Sequence, residues 1–218
     1  MTFAQIKSNE DIKTYIVKAD EALNALGYTE HSFAHVTKVA DTAARILSEL
    51  GYDERTVELA KIAGYLHDIG NLVNRVDHSQ SGAVMAFRIL DNLGMSADEI
   101  SVIVSAIGNH DEGNGVPVNS VAAALIIADK CDVRRSRVRN TDSLTFDIHD
   151  RVNYSVESSE VKISEDSRNV ILELQVDQSI SSVMDYFQIF MGRMQMCRHA
   201  AKALGLDFGI VINGQALL

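Results

Sequence analysis

Residues 61–70 read KIAGYLHDIG, an apolar helical face that ends in a histidine and an aspartate. The stretch VAAALIIAD at 121–129 repeats this pattern, because Asp129 follows a wholly apolar run. A carboxylate buried in apolar surroundings is costly unless it is paired, protonated or bound to a cation. The two stretches therefore predict helices that carry Asp68 and Asp129 into the interior of the fold. Taken alone, Asp129 is equally consistent with a carboxylate at a helix end that reaches solvent.

Helical periodicity extends outward from these stretches over roughly the first 140 residues. One proline in 218 residues leaves room for long, uninterrupted helices. After about residue 140 the pattern changes to short runs of β type with one long amphipathic segment among them. The predicted helices span 11–26, 32–50, 54–69, 79–93, 97–109 and 119–133, the predicted strands 161–163, 170–176 and 208–212, and the amphipathic segment 180–204.

The sequence therefore predicts a mainly α protein. A helical bundle would occupy residues 1–150, and a small α+β appendage would occupy residues 151–218. The chain's 218 residues fit one large domain with such an appendage, and 46% hydrophobic residues suffice for a buried core.

Charge and composition exclude several kinds of partner. With 30 acidic and 20 basic residues the net charge is −10, which disfavours a non-specific grip on a nucleic-acid polymer or an anionic membrane. The longest apolar run, 121–128, is too short to span a bilayer, and the N-terminal sequence has no apolar secretion segment. Two cysteines, Cys131 and Cys197, make no disulfide framework. We therefore expect a cytoplasmic protein with reduced thiols.

Metal-competent side chains recur in an ordered series along the predicted helices. Imidazole nitrogen and carboxylate oxygen together suit zinc, iron, manganese or cobalt. A single histidine on an apolar face is more often a satisfied core residue than a ligand, but a series of such groups favours a shared metal site. Each member comes from a different helix or helix end, so they would meet only inside a bundle. The series is His35, His67, Asp68, His78, His110 and Asp129.

These residues resemble the HD-domain superfamily of metal-dependent phosphohydrolases. The pattern of that superfamily is a histidine, a His-Asp doublet and a distal aspartate on a helical bundle. Here His35 opens HVTKVADTAARILSELGYD, the doublet lies in YLHDIGN, and the distal aspartate lies in IIADKCD. The resemblance covers about residues 28–135.

A subset of the superfamily, which includes the HD-GYP group, has two further histidines. His78 in HSQSG and His110 in NHDE match those positions. The chain departs from HD-GYP proteins at Asn71, where they typically have lysine, and at Asn109, where they typically have a second histidine. Its loop GNGVP at 113–117 is also shorter than their GxGYP signature.

The resemblance implies a fold, a cofactor and a reaction. The cofactor would be one or two divalent transition-metal ions (Fe, Mn, Zn, Co or Ni) that activate a water for attack on a phosphate ester. Asp68, Arg75 and Lys130 would be the catalytic residues, the two cations acting on developing charge. One ion would be held by His35, His67, Asp68 and Asp129, and a second by Asp68, His78 and His110.

The expected substrate is a phosphorylated small molecule, a nucleotide foremost. The alternative is a non-catalytic HD module that binds a nucleotide for regulation, and a third reading is a purely structural metal. Arg75 and Lys130 are equally consistent with solvated surface charges. Lys130 adjoins Asp129 in sequence but should point to another helix face, which makes it a poor partner. Asp111 and Glu112 are candidates for fixing the second nitrogen of a histidine ligand.

The remaining histidines receive weaker assignments. His31 lies four residues before His35 and could replace it as ligand, although a place beside the site fits better. His149, between Asp147 and Asp150, is either a further metal cluster or, as we expect, an exposed polar turn. We expect His199 to be structural.

Two other clusters admit two interpretations each. The arginines at 134, 135, 137 and 139 would bind substrate phosphate or, as we prefer, pair with the acidic stretch 142–150 or a partner subunit. The apolar side chains of the late amphipathic segment indicate core packing or the interface of a homodimer. They are Met184, Phe187, Phe190, Met191, Met194 and Met196.

Overall fold

The computed structural model describes residues 1–140 and 146–217 and shows a helical protein with a small C-terminal sheet, as predicted. Among the described residues, no helix is long and apolar enough to cross a membrane. The helices are α1 Phe3–Ser8, α2 Glu10–Ala25, α3 Phe33–Glu49, α4 Glu54–Leu66, α5 His78–Asn92, α6 Ala97–Gly108, α7 Ser120–Lys130, α8 Ile148–Ser155 and α9 Val183–Ala203, and the strands are β1 Val156–Ile163, β2 Asn169–Val176, β3 Asp207–Ile212 and β4 Gln215–Ala216.

Side-chain caps fix where the bundle helices begin. Ser32, Asp53, Ser96 and Asn119 each accept a hydrogen bond from a backbone N–H in the first turn of α3, α4, α6 and α7. The third predicted helix was drawn too long, because α4 ends at Leu66 and the chain tightens into a 3-10 turn at Ile69–Leu72. That change of geometry lies directly at the His-Asp doublet.

Helix α7 forms the centre of the bundle. Every residue from Val121 to Ala128 is buried, and the helix contacts α3, α4, α6 and α9. A helix that is apolar on all sides is stable only when it is covered on all sides. Asp129 is therefore carried to the bundle interior by the hydrophobic effect acting on the residues before it.

The C-terminal sheet has the order β1-β2-β3-β4. Strands β1 and β2 are antiparallel, whereas β2 and β3 are parallel and are connected through α9. Strand β3 was predicted to be the last, which is wrong, because Asn213 and Gly214 adopt positive φ angles and turn the chain back into β4. The predicted boundary at residue 150 falls within α8 and stays a prediction.

The short helices α1 and α8 were not predicted. Helix α1 has six residues, of which Ile6 alone is buried, so its hydrophobic period is too short to recognise. The sequence of α8, IHDRVNYS, is largely polar and is capped by Asp147. Its position against the bundle comes from tertiary contacts that a local pattern does not encode.

Candidate metal centre

Five separate parts of the bundle bring the predicted metal-competent residues together. His35 lies in the first turn of α3, and His67 caps the end of α4 with Asp68 beside it. His78 is the first residue of α5, and His110 directly follows the α6 cap. Asp129 lies in the last turn of α7. All six side chains face one another, although they span nearly a hundred positions of the chain.

Two histidines and two aspartates form the inner part of this cluster. His35 Nε2 lies 3.4 Å from Asp68 Oδ2 and 3.3 Å from Asp129 Oδ1. His67 Nε2 lies 3.1 Å from Asp68 Oδ2 and 3.6 Å from Asp129 Oδ1. Ligand atoms that sit roughly 2.1 Å from one ion are about 3.0–3.4 Å apart at right-angled or tetrahedral geometry. The spacing therefore fits a common cation.

Asp68 also faces the other two histidines through its second oxygen. His78 Nε2 lies 3.6 Å from Asp68 Oδ1 and 3.2 Å from His110 Nε2. Ligand-competent atoms of His67, Asp68 and His110 form a second compact group. One carboxylate thus has an oxygen directed to each half of the cluster, which is the arrangement a bridging ligand requires.

The outer nitrogens of the imidazoles are all engaged by the protein. The Nδ1 atoms of His67, His78 and His110 lie 2.8, 3.1 and 2.6 Å from the carbonyl oxygens of Gly64, Arg75 and Ile107. A carbonyl only accepts, so each Nδ1 carries a proton and each Nε2 points into the cluster. Hydrogen bonds of this kind orient histidine ligands in metal sites.

His35 is oriented by Asp132, a residue that sequence reasoning missed. The Nδ1 of His35 donates to Asp132 Oδ2 at 2.7 Å, and both side chains are buried. Asp132 lies just beyond the end of α7. Within the predicted helix 119–133 it stands three residues after Asp129, and that helical spacing was the available signal. The predicted candidates Asp111 and Glu112 lie elsewhere: Asp111 Oδ1 is 4.0 Å from His78 Nε2, and Glu112 pairs with other side chains.

Unsatisfied atoms at the centre indicate what is needed to complete it. The Nε2 atoms of His35 and His67 and the Oδ2 atom of Asp68 are buried and have no hydrogen-bond partner in the described part of the chain. Such atoms are rare in folded proteins because the cost of desolvation is not repaid. A divalent cation would satisfy all three at once, and this mixed nitrogen and oxygen set suits a transition metal.

Electrostatics at the centre favour added positive charge. Burial lowers the pKa of His67, but Asp68 and Asp129 outweigh this effect and raise the pKa to about 10. Burial and the neighbouring His67 lower the pKa of His110 well below its usual range, which keeps that imidazole neutral. The carboxylates therefore draw a cation, while His110 remains available as a donor of electrons.

Comparison with known proteins agrees with this geometry. The family model of the HD domain matches residues 32–134. These 103 residues, nearly half of the chain, are therefore similar to the HD domain. The matched range includes His35, the His-Asp doublet and Asp129, and similarity to this domain indicates a metal-dependent hydrolase.

Individual relatives extend the comparison. An uncharacterized protein of Methanocaldococcus jannaschii, MJ1020, is 25% identical over 213 residues, which cover 87% of this chain and 80% of that protein. Ribonuclease Y of Bacillus subtilis is 31% identical over 113 residues, which are 52% of this chain and only 20% of ribonuclease Y. A crystal structure of a predicted HD superfamily hydrolase from an uncultured Thermotogales bacterium aligns with a TM-score of 0.47 and 23% identity, over 62% of this chain and 75% of that one.

The cluster of six metal-competent residues, which we call the HD centre, opens into a cavity of about 330 Å³. Asp68, His78 and Asp129 line its inner end. Residues outside the HD match, both before and after it in the chain, also line the cavity. The cationic side chains in the cavity lining are Arg75, Lys130, Arg137 and Arg193.

Lys130 forms an ion pair with Asp129, so the prediction that it is a poor partner is wrong. Its Nζ lies 2.8 Å from Asp129 Oδ2 and 3.5 Å from Glu112 Oε1, and the residue is only 4% exposed. The long, flexible side chain bends back from its own helix face. Burial lowers the pKa of Lys130, but Asp129 and Glu112 outweigh it and raise the pKa, so the group is a cation. The solvated-surface interpretation is therefore wrong for Lys130.

Arg75 lies at the opposite side of the HD centre. Its Nη1 is 3.3 Å from both His78 Nε2 and Asn71 Oδ1, and its guanidinium lies over the Tyr28 ring at 5.6 Å. Asn71 stands where HD-GYP proteins typically have lysine, and here its amide donates to Asp68 Oδ1 at 3.0 Å. Arg75 thus contacts His78 and Lys130 contacts Asp129, and both line the cavity.

The other histidines lie outside the metal-competent groups. His31 lines the cavity with its ring 5.4 Å from that of His35, and its Nδ1 bonds the Thr29 carbonyl. It is thus beside the centre, as we expected. His149 is exposed at the start of α8 and lines the cavity rim, so it lies in a helix and not in a turn. His199 is exposed on α9, and among the described residues no core contact supports the structural role expected for it.

The arginine cluster divides between the cavity and other partners. Arg137 is buried and lines the cavity, with Nε and Nη1 donating to the carbonyls of Glu30 and Asp132. Of the acidic stretch at 142–150, positions 142–145 lie outside the described residues. The ion pairs of the other arginines join Arg134 to Asp132 and Glu30, Arg135 to Glu157 and Asp177, and Arg139 to Asp20.

The predicted methionine and phenylalanine face is partly buried and partly exposed. Phe190, Met194 and Met196 are buried in the core, whereas Met184 and Met191 are exposed along a groove of α9. Core packing therefore accounts for part of the pattern. Homodimer formation stays a prediction.

Proposed function

We propose that this chain is a metal-dependent phosphohydrolase that cleaves a phosphate ester of a nucleotide or another small molecule. The observation that carries the proposal is a cluster of unsatisfied imidazole nitrogens and a carboxylate oxygen beside a cavity whose lining includes four cationic side chains. Metal ligands and phosphate-binding cations in one cavity are the two components that phosphoryl chemistry needs.

The inner residues would hold the ions. His35, His67, Asp68 and Asp129 are placed to hold one, and Asp68 with His78 and His110 a second. Bound ions would supply Lewis-acid stabilisation of phosphate oxygens and an acidified water. Metal analysis of the purified protein would give the identity and number of the ions.

The surrounding side chains would bind and orient the phosphate ester. Arg75 and Lys130 both line the cavity, where they would neutralise charge that develops on phosphate oxygens. Arg137 is held rigidly by two backbone carbonyls and presents a fixed positive charge. Because these groups are arranged before a substrate enters, little reorganisation accompanies the reaction.

Cavity size and charge favour a small substrate. A volume of about 330 Å³ lies at the lower end of the range for small-molecule sites, roughly 300–1,000 Å³. The net charge of −10 opposes a grip on a polymer's phosphate backbone. The similarity to ribonuclease Y supports the phosphoester class and makes an RNA phosphodiester the second candidate.

A metal analysis followed by a substrate screen tests the proposal. Purified protein should contain a transition metal, and metal-loaded protein should release phosphate or cleave a diester within a panel of nucleotides and short RNAs. Asp68→Asn should abolish the activity and leave the circular dichroism spectrum unchanged. Tight nucleotide binding without any turnover would instead establish the non-catalytic module, and a panel without binding or turnover would contradict both.

A further inference from the structure

Part of the cavity wall comes from outside the HD match. The match ends at residue 134, whereas α8 and α9 contribute His149, Asn153, Phe190 and Arg193 to the lining. We infer that Arg193 of α9 binds an anionic group of the substrate, so that the C-terminal region completes the site. The inference rests on the proposed phosphoester function.

The Arg193 guanidinium is held in place by Glu112 and Phe190, but only its Nε has an ion-pair partner among the described residues. Its Nε lies 2.7 Å from Glu112 Oε1, and the group lies over the Phe190 ring at 4.7 Å. Glu112 is the one ion-pair partner that the described residues give it. A guanidinium has five N–H donors in a planar fork, so those on the two terminal nitrogens remain for a ligand.

Arg193 is also joined to the metal centre by a short chain of charges. Glu112 Oε1 lies 3.5 Å from Lys130 Nζ, and Lys130 Nζ lies 2.8 Å from Asp129 Oδ2. The carboxylate of Glu112 therefore stands between two cations that both line the cavity. An anion bound by Lys130 would lie within reach of the arginine on the other side of Glu112.

Close packing fixes the loop that carries Glu112 against α9. At Gly115, a Cβ atom would collide with Met196 of α9 and with the backbone carbonyls of Asn109 and Asp111. The clashes with the two carbonyls make glycine necessary for the tight fold of the loop itself. Met196 of α9 contacts the loop at this point through the end of its side chain.

Arg193 has fewer hydrogen-bond partners than Arg137, which also lines the cavity. Arg137 spends Nε and Nη1 on backbone carbonyls and is 4% exposed, so its role is largely fixed by the fold. The Arg193 side chain is 28% exposed and held by one carboxylate. Removing it should therefore weaken ligand binding without leaving a buried group unsatisfied.

Isothermal titration with inorganic phosphate, on the full chain loaded with metal, tests the inference directly. Arg193→Ala should weaken phosphate binding roughly 10- to 100-fold, the loss expected for a charge-assisted hydrogen bond. Arg193→Lys should recover part of the loss because the charge is kept. Arg198→Ala, which removes an exposed arginine from the same helix, should stay within about twofold of wild type.

Kinetics on any ester found in the screen separate binding from a structural effect. Arg193→Ala should raise KM by a similar factor while kcat changes less than about threefold, and its melting temperature should match that of Arg198→Ala. Wild-type phosphate affinity in Arg193→Ala, or no phosphate binding by wild type, would overturn the inference. Phosphate binding that depends on Arg193, without turnover of any ester, would instead contradict the proposed hydrolase and leave the anion site standing.

Discussion

The two walls of the cavity are built on different principles. At the HD centre each imidazole has one nitrogen locked by a protein acceptor, and the side chains of His35, His67 and Asp68 are at most 6% exposed. On the α9 wall, Arg193 is held by a single carboxylate and is partly open to solvent. The side chains of the first wall are fixed in place before a ligand arrives, whereas Arg193 on the second wall has N–H donors without a partner among the described residues. Substitutions at the centre should therefore abolish activity, whereas substitutions on α9 should reduce ligand binding by degrees.

The largest effect is expected at Asp68. Asp68→Ala removes the one carboxylate that faces both halves of the cluster, so hydrolysis should fall by at least about 10²–10³-fold, as when a preorganised electrostatic group is lost. Phosphate release measures the effect, and thermal melting confirms folding. Asp91→Ala, an exposed carboxylate on α5, is the matched control. Activity that survives in Asp68→Ala would place the reaction elsewhere.

Asp132 should matter next, although it would not touch a metal. Asp132→Asn weakens the acceptor that fixes His35 Nδ1, and loss of such outer partners typically costs 10- to 100-fold in metal affinity. A competition assay with a metal-binding dye measures it. Arg134→Ala provides the control, because it removes another partner of Asp132 and leaves His35 untouched. Equal affinities in the two variants would show that Asp132 does not orient the ligand.

The helical bundle and its HD centre could be predicted from the sequence because local sequence patterns determine both. The apolar run before Asp129 fixes α7 as a buried helix, and the helices around it have glycine stops and polar caps. The residues brought together at the centre were predicted from the order of histidines and aspartates and from the resemblance to the HD superfamily. Their convergence follows from burying those apolar faces.

The rest of the cavity was hidden because it depends on side-chain reach and on contacts distant in sequence. Helical geometry placed Lys130 away from Asp129, yet a flexible side chain returns to it. Arg193 lies on a helix whose sequence pattern indicates only packing. Its link to Glu112 joins positions far apart in the chain, and no periodicity records such a pair.

Arg75 offers an intermediate test of the contrast between the walls. Arg75→Ala removes a cation that faces the cavity but is only partly anchored, so kcat/KM should fall about tenfold, equivalent to about 1.4 kcal/mol. Arg88→Ala, on the exposed face of α5, should leave it unchanged. Steady-state kinetics on the ester identified in the screen decide the matter, and identical values for both variants would assign Arg75 to the surface.

The smallest effect concerns backbone strain beside the centre. Asp77 precedes His78 with a φ of 56° and makes no side-chain capping bond. Asp77→Gly should relieve this left-handed conformation and raise the free energy of unfolding by about 0.5–1 kcal/mol, less the added entropy of the unfolded chain. Urea denaturation measures the change, and a loss of stability would show that the exposed carboxylate is needed at this turn.

The parallel pairing of β2 and β3 has a consequence for how this chain tolerates changes in length. Parallel neighbours need a crossover, and the 21 residues of α9 provide it. Each inserted residue would rotate the helix face by about 100° and lengthen it by about 1.5 Å. Deletions or insertions in α9 should therefore survive only near whole helical turns, and a recombinant fragment confined to 32–134 would keep the imidazoles while losing the arginine opposite them.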